Sequence, residues 1–394
     1  MMARTPRLRS LVSAETLVGA VLAVVAIPQL LLGPGTDLDV GAVLASGRLI
    51  THGDYRPSRP PGAPVHEAIV GVLERFGGTT LSNGATLLAA LAIVAAVIVL
   101  AREAGLPRPF LVAAVIVANP WFIVAATSTV DFPLALEFLL WGAIALRRDH
   151  TVVASVCFAL AVGCRATTIL LVMVVLVAEV TGEAAQRKPR RALICGALSS
   201  VLGLALYIPA FVSAGGSLAF AQNDFTTASP GVMLGRALAK DLYFFGLAGA
   251  GVLLCALPAL WAALKTWRSQ WIVRFGVLGV VLIEGLFIRF PWKMGHLLPL
   301  LICLALWLGV ALRDRPQWLV ALVVAQLLYS VVNLQLLEPD NPNDARGARA
   351  VLDLRWGVVV TDVACRADDT GAWKGDSARL EAVWNCAKPF GDGP

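Results

Sequence analysis

Charged residues are scarce in this chain of 394 residues: Asp, Glu, Lys and Arg make up only 15% of it, against about 25% in typical soluble proteins. Apolar residues reach 58%, and a soluble protein of this size could not bury so much apolar surface in its core. The same composition excludes disordered, collagen-like and disulfide-scaffold proteins. The sequence therefore predicts an all-α integral membrane protein.

Common signatures of nucleotide, hydrolase and metal sites are also absent. The chain has no Walker loop, no G-x-S-x-G, no H-E-x-x-H and no C-x-x-C pair. Its four histidines, at positions 52, 66, 150 and 296, do not have the spacing of a zinc site. No basic stripe with interleaved aromatic residues occurs, so we expect no nucleic-acid partner.

Apolar runs and the basic residues beside them predict how the chain crosses the membrane. A helix needs ~20 residues to cross the hydrocarbon core, and basic residues gather on the cytoplasmic side. Arg4, Arg7 and Arg9 precede the first run and place the N-terminus in the cytoplasm, so that eleven crossings leave the C-terminus outside. The expected spans are 17–32, 79–101, 109–127, 130–146, two short helices within 151–182, 192–213, 242–264, 271–289, 295–312 and 317–334.

Residues 151–182 are too many for one span and too few for two full ones. Arg147 and Arg148 precede the segment, and four basic residues follow it within 187–191. Because both clusters favour the cytoplasm, we expect a hairpin of two short helices with Arg165 at its outward tip.

The composition changes after the last span, which predicts a membrane domain over 1–334 and an extracytoplasmic tail over 335–394. The Val-rich run LRWGVVVTDVA in the tail predicts a strand. Cys365 and Cys386 are the only cysteines outside the expected spans. In an oxidising compartment the two are expected to form a disulfide; the alternative is two free thiols.

The first outer loop, residues 33–78, is the longest in the membrane domain, and a loop of such length is usually functional. It is expected to hold two short amphipathic helices, VGAVLASGRLI and HEAIVGVLERF, joined by a Pro-rich turn. Its candidate substrate-binding residues are Arg59, His66 and Glu67.

Two acids, Asp37 and Asp39, directly follow the first span. Carboxylates at that depth can act as a general base or hold a divalent cation. The alternative is a solvated loop pair or a cap for the next helix. Asp131, in the short second outer turn, has the same two interpretations, since Asp131-Phe-Pro also fits a helix N-cap.

Three cationic residues suit a lipid phosphate. Arg165 presents a fork that binds two phosphate oxygens; its alternative partners are the acids at 137, 179 and 284. Lys293 and His296 stand three positions apart at the start of a late span, and share one face if that segment is helical. Their alternative role is lipid anchoring in an aromatic and cationic belt.

Four motifs in this order carry a family resemblance. An acidic motif follows the first span, then a loop of the form G-x-Y-x-x-S-R-P-P-G-x-P-x-x-E, then a short outer turn with an acid, and then P-x-K-x-x-x-L-L-P at a late span. Over about residues 15–310 the layout resembles the GT-C superfamily of polytopic glycosyltransferases, which use polyprenyl-phosphate-linked sugars. It is most similar to the protein mannosyltransferase and aminoarabinose transferase branch. The motif residues are Asp37 and Asp39; Gly53, Tyr55, 58–62, Pro64 and Glu67; Asp131; and Pro291, Lys293 and 297–299.

The resemblance implies a role for each matching residue. Asp37 or Asp39 would be the catalytic base, with Leu38 between them leaving the choice open, and Asp131 would be the second-loop acid. Contacts to the donor phosphate would come from Arg165, Lys293 and His296. No cofactor is implied with certainty; a divalent cation, if there is one, would bind Asp37 and Asp39.

The expected function is therefore transfer of a sugar from a polyprenyl-phosphate donor to an extracytoplasmic envelope glycan, lipid or protein. Abundant Ala, Val, Leu, Gly and Arg with few Lys indicate a GC-rich bacterial genome. The expected location is the cytoplasmic (inner) membrane. The alternative is a transporter or lipid flippase, which should show inverted repeats and broken midplane helices. A third interpretation is a non-catalytic scaffold. The catalytic hypothesis requires the acids, Arg165 and Lys293 to line one outward cavity.

Overall fold

The computed structural model describes residues 8–37, 39–183, 188–218, 229–291, 293–339 and 348–368. Helices dominate these ranges, as the apolar composition predicts. Short 3-10 turns extend some of them, at Ile27–Leu31, Leu264–Thr266 and Met294–Leu297. The helices up to the tail are α1 (Leu8–Ala26), α2 (Asp39–Thr51), α3 (Pro64–Glu103), α4 (Pro109–Ala118), α5 (Pro120–Ala126), α6 (Phe132–Arg147), α7 (Thr151–Cys164), α8 (Thr168–Val180), α9 (Pro189–Leu206), α10 (Ile208–Ser213), α11 (Pro230–Ala263), α12 (Trp271–Arg289), α13 (Leu298–Ala311) and α14 (Pro316–Val331).

Each predicted span is helical over most of its length, the last of them ending early because α14 stops at Val331. The chain is a multi-pass membrane protein. Six helical segments in the described ranges are long and apolar enough to cross a membrane, or seven if the α4–α5 pair, bent by 78°, forms one broken span. The other predicted spans, α6, α7, α8 and α14, are helices of at most 16 residues, so the count of eleven crossings stays a prediction. The six segments are Ala14–Leu31, Pro64–Glu103, Pro189–Ser213, Pro230–Thr266, Trp271–Arg289 and Met294–Ala311.

The first outer loop contains the two predicted helices, α2 and the first part of α3. A break at Gly77 and Gly78 separates this first part from the long apolar remainder of α3. The two helices cross at Gly47 and Gly71, where a Cβ atom on Gly71 would lie 2.2 Å from the Gly47 carbonyl oxygen. Only glycine allows this approach. The crossing fixes the position of the Pro-rich turn, because it holds the two helices that the turn connects.

Residues at two helix breaks in the membrane region are joined by hydrogen bonds. Gly246, with a φ of 66°, interrupts α11, and Asn119 separates α4 from α5. The Asn119 amide donates to Phe244 O at 3.1 Å and to Gln326 Oε1 at 2.8 Å, and Gln326 Nε2 donates to Phe245 O at 2.5 Å. Backbone groups freed at such breaks need internal partners in an apolar environment, so these contacts hold both breaks in place.

The segment 151–182 has the predicted form of two short helices. α7 and α8 meet at Arg165, which has an extended backbone conformation. At the other end, Arg147, before α7, lies 3.9 Å from Glu179, near the end of α8. The chain therefore returns to the side from which it left.

The tail adds a two-stranded sheet to the helical membrane fold and corrects one expectation. β1 (Val332–Pro339) pairs antiparallel with β2 (Ala348–Trp356). The run LRWGVVVTDVA is not one strand: β2 ends at Trp356, and α15 (Val358–Asp368) follows. At the junction the Gly357 amide donates to Val331 O at 2.7 Å and turns the chain, so that α15 packs on α5 and α14. This tertiary packing overrides the β propensity of the Val run.

The predicted domain boundary at 335 falls inside β1, and the division into membrane domain and tail stays a prediction. Cys365 is buried in α15 and is disulfide-bonded. Cys386 lies outside the described residues, so its pairing with Cys365 also stays a prediction.

Candidate active site

Six charged side chains from five connections between helices form one continuous network. Three carboxylates alternate with three cations, so that each interior member contacts two groups of opposite charge. Such balance makes a polar cluster tolerable at the edge of a membrane. In order, the members are Asp37, Lys293, Asp39, Arg59, Asp131 and Arg165.

Lys293 lies between the two acids that follow the first span. Its Nζ is 2.6 Å from Asp37 Oδ1 and 2.8 Å from Asp39 Oδ2. Burial disfavours the charged form of Asp37, but Lys293 outweighs burial and holds the pKa of Asp37 below its usual value. Burial likewise opposes the charge on Lys293, yet Asp37 and Asp39 raise the pKa of Lys293. Lys293 is thus an acid-binding residue of the site rather than a lipid anchor alone.

Asp37 also shapes the backbone at the start of α2. Its Oδ1 accepts a hydrogen bond from the Asp39 amide at 2.8 Å. The helix-capping interpretation therefore describes part of what Asp37 does, while its ion pair with Lys293 goes beyond capping. Among the described residues, Asp37 Oδ2 and Asp39 Oδ1 have no hydrogen-bond partner, which leaves each carboxylate one available oxygen.

Asp131 binds two arginines and does not cap its helix. It occupies the N-cap position of α6, but its side chain makes no capping hydrogen bond. Arg165 Nη1 lies 3.0 Å from both carboxylate oxygens, and Arg59 Nη2 donates to Oδ2. The side chain is only 4% exposed; burial opposes its charge, but Arg165 and Arg59 hold the pKa of Asp131 far below its usual value.

Arg165 and Arg59 thereby have partners that local sequence reasoning did not assign. Arg165 pairs with Asp131, not with any of the acids considered from the sequence, and its guanidinium lies 3.9 Å from the centre of the Phe132 ring. Arg59 bridges the first and second outer loops, because Nη1 contacts Asp39 at 2.6 Å while Nη2 contacts Asp131. Arg59 therefore joins the two pairs of charges into one site.

Glu67 holds the loop that carries Arg59. It is fully buried at the start of α3 and accepts hydrogen bonds from Tyr55 Oη at 2.6 Å, Ser58 N at 2.9 Å and Ser58 Oγ at 2.5 Å. Burial and the Glu67 carboxylate raise the pKa of Tyr55. Both oxygens of Glu67 are thus engaged by its own loop, which indicates a positioning role; substrate binding by Glu67 stays a prediction.

The two candidate histidines lie beside the network. His66 precedes Glu67 in α3, is 0% exposed, and neither ring nitrogen has a hydrogen-bond partner among the described residues. His296 is partly buried, and its ring centre lies 5.8 Å from that of Phe132, the ring that Arg165 covers. Both histidines are close enough to contribute to the site, and their roles stay predictions.

Within the described ranges, no group of three or more His, Cys, Asp or Glu side chains is arranged to hold a metal ion. The Lys293 ammonium lies between Asp37 and Asp39 and supplies positive charge there. Binding of a divalent cation by the two acids stays a prediction.

Sequence reasoning missed two charged residues of the tail that approach this site. Asp362 and Arg366 of α15 are both buried and form an ion pair at 3.1 Å. Their spacing of four positions, on one helical face, was the available signal, and the expectation of a strand concealed it.

Comparison with known proteins gives a likeness at the level of structure. No protein-family model and no curated protein matches the chain. It is similar to the crystal structure of ArnT from Cupriavidus metallidurans in the apo state, with a TM-score of 0.55 and 23% identity. It is also similar to the structure of that ArnT bound to undecaprenyl phosphate, with a TM-score of 0.59 and 18% identity.

The chain has the ArnT fold. This likeness confirms the fold that the resemblance of the sequence motifs implies, and it shows the fold alone. The likeness covers 76% of this chain against the apo structure and 95% against the bound one. The chain spans 59% of the length of the apo ArnT chain and 74% of the bound one, so ArnT is the longer protein.

Proposed function

We propose that this protein is a membrane glycosyltransferase that moves a sugar from a polyprenyl-phosphate donor to an extracytoplasmic acceptor. The observation that carries the proposal is the network of three carboxylates and three cations described above. Glycosyl transfer requires both a base for the acceptor and positive charge for the departing phosphate. The likeness to an ArnT that was crystallised with undecaprenyl phosphate supports a lipid-linked donor.

In the proposed reaction, a carboxylate oxygen of Asp37 or Asp39 takes the proton of an acceptor hydroxyl. The acceptor oxygen then forms a bond to the anomeric carbon of the sugar, and the bond from that carbon to the phosphate oxygen breaks. The polyprenyl phosphate leaves with an additional negative charge, which Lys293 and Arg165 stabilise electrostatically. His296 is a further candidate contact for the phosphate.

Asp131 is assigned a supporting role. It is the most buried of the three acids, at 4% side-chain exposure against 24% for Asp37 and 35% for Asp39. Both of its carboxylate oxygens are bound by the two arginines, which leaves neither oxygen free to take a proton from an acceptor. We infer that Asp131 fixes Arg59 and Arg165 in place, while one of the two acids after the first span accepts the proton.

Transfer by purified protein in nanodiscs tests the proposal. The donors are a panel of synthetic polyprenyl-phosphate sugars, and mass spectrometry follows the release of polyprenyl phosphate. Mass spectrometry of lipid-linked sugars and envelope glycans from a deletion strain selects the sugar and the acceptor. Loss of the general base typically costs about 10²–10⁴-fold in rate, so Asp37→Asn or Asp39→Asn should lose activity by that factor.

Asp54→Asn is the matched control, because Asp54 lies in the same loop, is exposed, and pairs only with exposed Arg56 in the described structure. It should transfer at the wild-type rate. Near wild-type transfer by both Asp37→Asn and Asp39→Asn would refute the assignment of the base. If the wild-type protein in proteoliposomes moves a lipid-linked sugar across the bilayer without changing it chemically, the transporter or flippase interpretation takes first place.

A further inference from the structure

The tail helix α15 inserts one arginine among backbone carbonyls of the membrane region. The Arg366 side chain is 1% exposed. Its Nη2 donates to Gln29 O at 3.0 Å, Gly33 O at 3.0 Å and Thr127 O at 2.8 Å, and its Nη1 donates to Thr127 Oγ1 at 3.0 Å. The carbonyls of residues 29 and 33 belong to the chain that leaves the first span. Each also accepts one other hydrogen bond, from Leu32 N at 3.1 Å and from Asn83 Nδ2 at 2.7 Å respectively. Arg366 therefore adds a side-chain contact that ties this exit to the tail helix.

Asp362 completes the contact from the same face of α15. Its Oδ2 accepts from Arg366 Nη1 at 3.1 Å, which balances the buried guanidinium charge. Its Oδ1 accepts from Thr36 Oγ1 at 2.9 Å. One carboxylate thus joins the tail helix both to Arg366 and to the residue that directly precedes Asp37.

These contacts act on the two segments that carry the acids of the site. Thr36 adjoins Asp37, and Thr127 stands four positions before Asp131. The segments are also joined to each other, since the Thr129 amide donates to Pro34 O at 2.7 Å. Within the described structure, the side chains of Asp362 and Arg366 make no hydrogen bond or ion pair with the connections that carry Lys293 and Arg165.

We propose that Arg366 and Asp362 are positioning residues, through which the C-terminal helix sets the placement of the acids for transfer. The inference rests on the proposed function for its kinetic part. An arginine is required because its planar fork reaches acceptors on several segments at once, whereas a lysine has three donors on a single nitrogen. A helix that only anchored the tail would not need a buried, fully hydrogen-bonded arginine beside the acids.

The test compares Arg366→Lys and Asp362→Asn with Arg355→Lys, all in the full-length protein in nanodiscs. Arg355 is the matched control because it is an arginine of the same tail, it is more exposed, and it pairs with Asp353 of its own strand at 2.8 Å. Three quantities are measured: kcat for transfer, the dissociation constant for undecaprenyl phosphate, and hydrogen–deuterium exchange of peptides covering 29–37 and 127–131.

Misplacement of reacting groups by about 1 Å can cost on the order of 10²-fold in rate, so Arg366→Lys should lower kcat by about 10- to 100-fold. Its dissociation constant for undecaprenyl phosphate should stay near the wild-type value, because the proposed phosphate contacts are on other connections. Exchange should rise in both acid-bearing segments and not in the α12 peptide around residue 280. Asp362→Asn, which keeps the shape of the side chain, should change the same quantities in the same direction.

Exchange and kcat equal to those of Arg355→Lys would overturn the inference. Parallel loss of lipid binding and kcat, without a change of exchange in the two segments, would overturn it as well. If Arg366→Lys does not fold, Asp362→Asn decides by the same criteria. If the wild-type protein transfers no sugar, the proposed function fails, and the exchange of the two segments still decides whether α15 holds them.

Discussion

Lys293 and Asp37 are 256 positions apart in the chain, yet the lysine Nζ lies 2.6 Å from the aspartate Oδ1. The contact joins the connection between α12 and α13 to the exit of the first span. The same ammonium is 2.8 Å from Asp39, so one cation controls both candidate bases. This relationship makes the protonation of Asp37 depend on what Lys293 binds.

Replacement of Lys293 by Met should change the pH dependence of transfer. Burial raises the pKa of Asp37 and the Lys293 ammonium lowers it, so the pKa of Asp37 rises when the ammonium is removed. A base must be unprotonated to work, so the acid limb of the kcat/KM profile should move to higher pH. The donor KM should also rise. Lys293→Arg retains the charge and should leave the acid limb close to that of the wild type. The same acid limb of the kcat/KM profile in wild type, Lys293→Met and Lys293→Arg would show that Lys293 does not control the pKa of the base.

The same pair makes a pH-dependent contribution to stability. The folded-state pKa of Asp37 lies below the unfolded value of 3.8, so the contribution is present above that value and is lost as the pH falls through the folded-state pKa. Thermal unfolding of wild type and Lys293→Met should therefore converge in strong acid.

Asp131→Asn should change lipid affinity and kcat in opposite directions. Removing the buried carboxylate leaves Arg59 and Arg165 without their shared partner, and breaking a buried pair in this way costs about 3–5 kcal/mol of stability. The released arginines should bind undecaprenyl phosphate more tightly, while kcat falls because their placement is lost. Differential scanning fluorimetry and lipid-binding titration measure the two effects.

Asp149→Asn is the control for that experiment, since Asp149 also pairs with two cations, Lys188 and Arg191, but is 48% exposed. It should change stability by no more than about 1 kcal/mol. Unchanged stability and lipid affinity in Asp131→Asn would show that the pairing does not organise the site.

Glu67→Gln should weaken the loop that carries Arg59. The amide group of Gln cannot accept all three hydrogen bonds that Glu67 accepts from Tyr55 and Ser58, and an unsatisfied buried group costs about 1–3 kcal/mol. We expect a lower melting temperature and a lower kcat. Glu74→Gln, farther along the same helix and paired with exposed Arg48, should leave both near wild type; equal effects in the two variants would argue against a special role for Glu67.

Cys365 should resist alkylation until a reductant is added. In denaturing detergent without reductant, the five free cysteines should label, and Cys365, which is disulfide-bonded, should not. A linked peptide containing Cys386 in mass spectra would establish the predicted pairing, whose loop of about 20 residues is worth roughly 3 kcal/mol in the chain-entropy treatment. Labelling of Cys365 without reductant would contradict this result.

Reporter fusions should place both ends of the α7–α8 hairpin in the cytoplasm. The contact between Arg147 and Glu179 at 3.9 Å brings the two ends together, and basic residues flank both. Fusions after Asp149 and after Glu183 should give the same cytoplasmic signal. Signals from opposite sides of the membrane would rule out the arrangement of eleven crossings.

Local patterns predicted most of the elements and some of the site. Apolar runs located the helices, and the positions of α2 and the start of α3 followed from amphipathic spacing. The same reasoning offered helix capping as an alternative role for Asp131, and this alternative was wrong. The local sequence around an N-cap position does not show that Arg59 and Arg165 will contact the carboxylate. The strand expected over LRWGVVVTDVA was wrong beyond Trp356 for a similar reason, because packing against α5 and α14 decides the helix α15.

The sequence by itself determined that the protein lies in a membrane and that acids and cations gather beside its spans, because hydropathy and charge are properties of short segments. Only the tertiary structure decided which charges meet. Asp37 and Lys293, Asp131 and Arg165, and Arg366 and Thr127 are 256, 34 and 239 positions apart. Contacts over such separations depend on how every intervening helix packs, and a buried charge takes as its partner whichever opposite charge that packing brings within reach.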